Sequence, residues 1–558
     1  MFYQEKIWLG SSEEKKVFLY PKMANRHGMI AGATGTGKTV TLKVMAESFS
    51  SMGVPVFMAD VKGDLAGLCR PGEEEGSAKQ RGEQMGLFQE GFDFASYPVT
   101  FWDIYGKKGM PLRTTISEMG PLLLSRILEL NETQSDILTI IFKIADDEGL
   151  LLLDTKDLKS MIQYVADNNK EYALEYGNMA KQSLTAILRA VVALEAEGGE
   201  EFFGETALNI TDWFSTSYEG KGSIQILDCQ TLINNPTMYS TFMLWMMSEL
   251  FEALPEAGDR DRPRMVFFFD EAHLLFDTAS KSLLSKIEQM VKLIRSKGVG
   301  IYFITQNPKD IPEGIMSQLG CKVQHALRAY TPSEQKAAKA AAMSFRENPD
   351  FDTFKAITAL GIGEALVSVL DEEGIPTVVQ RCKILPPQSQ MGALSEVIRE
   401  DEIINHLLYP KYTQELDRES AYEILVKRVV KEQEEEAALK QQKEEEKAAL
   451  KREKEREKEE KKRLEAEEKE LEKQKLAKER EALKKQEVAK KAEEKEEKAK
   501  ERRRNSAIKR VASAATGTIG REIGNQLGES VGGKFGKKLG GNVGASIGRG
   551  LLSNLFRL

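Results

Sequence analysis

Gly32-Ala33-Thr34-Gly35-Thr36-Gly37-Lys38-Thr39 constrains this chain more than any other stretch. Three glycines in six positions permit backbone turns that a side chain would block, so successive N–H groups can face one anion. The flanks complete the element. Met29-Ile30-Ala31 is an apolar run suited to a buried strand, and Val40, Leu42, Val44, Met45, Phe49 and Met52 recur at helical spacing. A strand, a glycine loop and a helix whose positive end faces the loop form a cradle for a polyphosphate. In such a cradle Lys38 meets the β- and γ-phosphates as a point charge, and the Thr39 hydroxyl is placed for Mg2+. Gly32, Ala33, Thr34, Gly35, Thr36, Gly37, Lys38, Thr39 and Val40 are therefore the expected ATP contacts.

Hydrolysis needs a second site. Met265-Val266-Phe267-Phe268-Phe269 is apolar without alternation, as in a strand covered on both faces, and it runs into Asp270-Glu271-Ala272-His273. Asp270 is expected to hold Mg2+ through water and Glu271 to orient and deprotonate the attacking water. His273 is expected to be a hydrogen-bonded neighbour. A third apolar strand, Val299 to Thr305, ends in Gln306. Its amide can donate to a γ-phosphate oxygen and accept from water, so it can register the phosphate. Asp60 and Lys62 follow another strand candidate, with contact to Mg2+, a subunit boundary and an exposed turn all open as readings. Arg295 and Arg328 are candidates for the arginine that stabilises charge on the transferring phosphate.

These segments resemble a family. The loop, Asp60-Val61-Lys62-Gly63-Asp64, Asp270-Glu271-Ala272-His273 and the Arg295…Gln306 segment are similar to the HerA/FtsK group of DNA-translocating ATPases. Pro111-Leu112-Arg113-Thr114-Thr115 and Leu360-Gly361-Ile362-Gly363-Glu364-Ala365 are similar to bacterial HerA-like proteins of the YjgR type. The resemblance covers about residues 1–390. It implies a RecA-like P-loop core, homo-oligomers with hexamers expected, and ATP sites completed by a neighbouring subunit's arginine. DNA as substrate and a nuclease as partner go with it. One departure is the region ahead of the loop: 31 residues precede Gly32, too few for the small β-barrel that HerA-type motors carry there.

Charge complicates the DNA reading. Residues 1–430 carry 60 acidic and 44 basic side chains, a net charge of −16. Such a body repels a polyanion at long range, so contact with DNA requires a local basic lining. The alternative function is an ATPase switch or assembly scaffold acting through the C-terminal extension.

The remaining organisation follows from pattern. Strand candidates at 28–32, 54–60, 98–102, 224–228, 265–270, 299–305, 322–327 and 365–370 alternate with helical patterns, which predicts an α/β fold with a mostly parallel sheet. Residues 1–111 and 221–390 form the expected core, with a helical subdomain inserted at 112–220 and a connecting helical segment at 391–430. Residues 431–504 hold 27 basic and 25 acidic side chains and neither Gly nor Pro, which predicts a charged helix or coiled coil up to ~110 Å long. In 505–558, glycine recurs every fourth residue from Gly520 to Gly548, each preceded by an apolar residue. This glycine-patterned tail suits self-association or peripheral membrane contact. Cys69, Cys229, Cys321 and Cys382 show no metal-binding spacing and read as buried thiols. With no signal peptide and no apolar run of ~20 residues, a cytoplasmic location is expected.

Overall fold

Strands that are apolar on both faces can be buried only between two layers, and this chain supplies both layers. The computed structural model describes residues 1–489 except 14, 259, 278–280 and 415, with side chains of 281–283, 472, 479 and 481–489 also outside the description. Among the described residues, thirteen strands make one sheet: β1 (Phe2–Tyr3), β2 (Lys6–Ser12), β3 (Lys15–Leu19), β4 (Gly28–Ala31), β5 (Val56–Asp60), β6 (Val99–Asp103), β7 (Met110–Pro111), β8 (Ile224–Asp228), β9 (Met265–Phe269), β10 (Val299–Thr305), β11 (Cys321–His325), β12 (Glu364–Ser368) and β13 (Gln380–Ile384). The order is β1-β2-β13-β12-β11-β4-β10-β9-β5-β8-β6-β7, with β3 paired to β2. From β11 to β7 every pairing is parallel; from β11 through β12 and β13 to β2 every pairing is antiparallel.

Alternation along the strands sorts side chains between two cores. Met29, Phe57, Phe267, Phe269 and Phe303 face one layer; Ile30, Met58, Val266, Phe268 and Ile304 face the other. The second face is covered by the helix Lys38–Ser51 through Leu42, Met45 and Phe49. Each such aromatic or aliphatic side chain, fully buried, contributes about 1.5–3 kcal/mol. The core on the first face takes in Phe242, Met246 and Leu250 of the helix Pro236–Ala253 and Met290 and Ile294 of the helix Lys281–Ile294, and it continues into helices of the predicted insertion, including Glu132–Glu148, Thr155–Asp167 and Lys181–Leu194. Capping boxes at Thr115/Glu118, Asn131/Gln134 and Asp154/Asp157 start three of the insertion's helices. The insertion shares a continuous apolar core with the sheet, since Leu138, Leu158 and Ile187 lie in the same cluster as Phe57 and Phe267.

Several expectations are corrected. Residues 2–19 form three strands that lengthen the sheet through β2 and β13, an antiparallel edge that the sequence pattern did not suggest. The charged helix begins at Ala421, ten residues before the predicted start, and is described to Ala489. Its 69 residues correspond to ~104 Å. Residues 1–425 belong to one compact unit and the helix from Val426 to a second. Within that second unit Leu439, Leu450, Leu464 and Leu471 are at least half exposed, and Glu436 pairs with Lys440 at 3.0 Å. The glycine-patterned tail, 505–558, and residues 490–504 lie outside the described residues. All four cysteines are buried and unpaired, and burial pushes Cys321 and Cys382 up to about 12.

Candidate nucleotide site

Parallel strands deliver their C-terminal ends to one edge, and four adjacent strands here end in polar groups. β4 runs into the glycine loop, β10 into Gln306, β9 into Asp270-Glu271, and β5 ends in Asp60. Register aligns them: Thr305 pairs with Ala31, and Phe303 with Phe269. Residues more than 230 positions apart in the chain thus meet at one edge.

The loop has the backbone that its glycines anticipate. Gly35 and Gly37 have φ of 74° and 112°, and a Cβ on Gly32 would lie 2.5 Å from the Cβ of His325. Gly32 N–H donates to Thr305 O at 3.2 Å and Ala33 N–H to Ala326 O at 2.8 Å, suspending the loop between β10 and β11. Gly37 caps the helix Lys38–Ser51. Lys38 is 7 % exposed, and its Nζ donates to Gly32 O at 2.6 Å and Ala33 O at 3.2 Å. Burial lowers its pKa, and Lys62 adds to the effect.

The carboxylates are gripped from several sides. Glu271, 6 % exposed and at φ 47°, lies 3.4 Å from Lys62 Nζ and 3.5 Å from His273 Nδ1. Gln306 Nε2 donates to Glu271 Oε1 at 3.3 Å, and Thr34 Oγ1 donates to Gln306 Oε1 at 3.4 Å. A polar chain therefore runs from the loop through Gln306 to Glu271. Asp270 is half-buried, and desolvation raises its pKa to about 6, opposed by Lys62 and reinforced by Glu271. Its Oδ1 accepts from the Glu271 N–H at 2.9 Å. Burial acts to lower Lys62, yet Asp270 and Glu271 outweigh it and leave the ammonium raised. A half-buried carboxylate whose charge is only partly offset, near a loop of backbone donors, suits Mg2+ with a triphosphate.

Other candidates fall differently. Asp60 is fully buried and accepts from Gly63 N–H at 2.7 Å and Leu65 N–H at 3.2 Å, so it shapes the turn that carries Lys62 and is not an exposed turn residue. Arg328 is exposed just after β11, at the loop's edge of the sheet. Arg295 precedes β10 and is separated from Gln306 by that seven-residue strand, ~23 Å. It does not join the polar cluster of its own chain.

Sequence reasoning missed the brace behind the loop. His325 Nε2 is 2.8 Å from Thr41 Oγ1 and its Nδ1 3.0 Å from Glu364 O. Burial lowers its pKa to about 4, so the ring is neutral. Gly363 N–H donates to Thr36 O at 3.0 Å, and Arg81 donates to Gly363 O at 2.6 Å and Ile384 O at 2.7 Å. The Gly361-Ile362-Gly363 pattern was the available signal; for His325 and Arg81 there was none.

The fold, mixed α/β with a largely parallel sheet, carries this glycine loop and strand-end cluster as a P-loop NTPase does. The chain belongs to the Helicase HerA-like C-terminal family, whose match extends over residues 5–542. It is 20 % identical over 392 residues to the DNA double-strand break repair helicase HerA of Sulfolobus acidocaldarius, covering 67 % of each chain. Among solved structures it is similar to VirB4 of Thermoanaerobacter pseudethanolicus at 17 % identity and TM-score 0.44, covering 68 % of this chain and 96 % of that one. The plasmid coupling protein TrwB in complex with ADP and Mg2+ aligns at 14 % identity and TM-score 0.44, covering 66 % and 87 %.

Proposed function

We propose that the chain hydrolyses Mg-ATP and converts turnover into movement along DNA as a ring-forming homo-oligomer, with a hexamer as the expected ring. The observation that carries this reading is the strand-end cluster, in which Lys38, Asp270, Glu271 and Gln306 reach one edge from β4, β9 and β10. Lys38 would leave its loop carbonyls for the β- and γ-phosphate oxygens, with the loop N–H groups around them. Thr39 and Asp270 would hold Mg2+, which supplies charge neutralisation at those oxygens when bound. Glu271 would accept a proton from the attacking water, and Gln306, already bonded to Glu271 and Thr34, would orient that water. Arg328, exposed beside the loop, is our first choice for the arginine presented to a neighbouring subunit, and Arg295 the second. Support for DNA comes from the family and from the repair helicase HerA.

The acidic body favours a second reading, an ATPase switch or assembly scaffold. ATP turnover measured with and without duplex DNA across a salt series separates the two. A motor is stimulated by duplex, and the stimulation falls steeply with salt; a switch shows no response to duplex at any salt concentration.

A further inference from the structure

The opposite end of the sheet carries a cavity that the nucleotide chemistry does not use. Its volume is about 640 Å³, and its cations are Arg26, Arg295, Lys322 and Arg346. Arg26 precedes β4, Arg295 precedes β10, Lys322 lies on β11, and Arg346 follows the helix Pro332–Met343 on the β12 side. Because β10, β4, β11 and β12 are consecutive in the sheet, the four cations follow one another along its edge. Three interstrand spacings amount to ~15 Å.

No carboxylate lines this cavity among the described residues, although residues 1–430 are acidic in sum. Lys322 Nζ donates to Ser344 O at 3.0 Å, and Arg346 Nη1 to Pro376 O at 3.0 Å. Each contact uses one N–H of a side chain that has three or five. Arg26 forms no ion pair among the described residues. Like charges gathered in a recess repel one another and focus a positive field, and an anion offsets both effects. One phosphate is too small to meet groups spread over ~15 Å, whereas a string of phosphates matches them.

We propose that this recess is a nucleic-acid contact, in which a phosphodiester backbone lies along the edge formed by β10, β4 and β11 and is held by Arg26, Lys322 and Arg346, with Arg295 beside them. The proposal rests on the DNA-motor reading and adds to it a place where an acidic body can hold a polyanion.

The test uses the full chain, a fluorescein-labelled duplex and saturating Mg-ADP, with anisotropy read across a salt series. Arg26→Gln/Arg346→Gln should bind duplex about tenfold more weakly, and its log–log salt slope should be shallower by ~2, since each phosphate contact contributes about 0.9. Arg26→Lys/Arg346→Lys should keep the wild-type slope. The thermal shift produced by Mg-ADP reports that each variant is folded. Wild-type affinity and slope in the glutamine variant would overturn the assignment and leave the motor reading standing. If the wild-type chain binds no duplex even at low salt, the motor reading itself falls and takes this contact with it. Pyrophosphate is the control for a small ligand. Binding that the glutamine variant loses while its duplex affinity is unchanged would assign the recess to a small phosphate ester instead of a strand.

Discussion

Lys62 Nζ stands 3.4 Å from Glu271 Oε1, bringing the turn after β5 to the carboxylate that ends the neighbouring β9. The ammonium offsets two adjacent acidic groups, since Asp270 and Glu271 both raise its pKa. Lys62→Met should therefore lower kcat about tenfold or more, with a smaller change in KM, and Lys62→Arg should restore most of the loss. Steady-state turnover checks this. Faster turnover in Lys62→Met would mean that the lysine restrains Glu271.

The two principal site residues should separate binding from chemistry. Lys38→Ala removes the cation above the loop and should abolish Mg-ATP binding or weaken it severely. Glu271→Gln keeps the size of the side chain and loses the base, so it should hold ATP while turnover falls by ~10²–10⁴. Calorimetric ATP binding and turnover on both variants are the measurements. Normal turnover in either would remove the assigned role.

Gly363 lies 325 positions beyond Lys38, yet its effect should appear in nucleotide affinity. Its φ is +73°, and a Cβ there would sit 3.1 Å from the Arg81 guanidinium. Gly363→Ala should cost about 1–2 kcal/mol in stability through the left-handed backbone alone. Displacement of the contact to Thr36 O should also weaken ATP binding several-fold. Unfolding and nucleotide titration on one preparation test both parts.

Buried groups of opposite sign set the response to acid. His27 and His325 titrate at about 4 in the fold, well below the ordinary 6.5, because burial disfavours the imidazolium. The unfolded chain takes up these protons first, so their stability is present above 6.5 and lost as pH falls towards 4. Asp60 and Asp270 titrate at about 6, above the usual 3.8, because burial disfavours the carboxylate. The folded chain takes up these protons first, so acidification from 6 to 3.8 stabilises it. Each group accounts for about 3 kcal/mol, so the pairs largely offset. The histidines begin to lose at 6.5 and the carboxylates to gain only at 6, and the buried Met1 amine, lowered to about 5, adds to the loss, so the Tm should fall modestly between pH 7 and 5. Asp60→Asn removes one compensating carboxylate and should melt progressively lower over the same range. A variant whose Tm follows the wild-type pH profile would contradict this.

The local elements of this protein follow from amino-acid order alone. Phosphate-loop composition, unbroken apolar strands and helical spacing depend on neighbours within a few residues, and each was legible in the order of the side chains. All eight strand candidates reappear within two residues at each end. The strands β1–β3, β7 and β13 escaped because β1 and β7 have two residues each, β2, β3 and β13 mix polar and apolar residues without clean alternation, and β2 meets β13 only across the whole chain. Tertiary structure alone decided which residues share the site. Parallel register brought Gln306 and Glu271 together, antiparallel return brought Gly363 against the loop, and strand direction sent Arg295 to the far edge. Hydrogen bonding between strands fixes those relationships, and no short-range pattern encodes it.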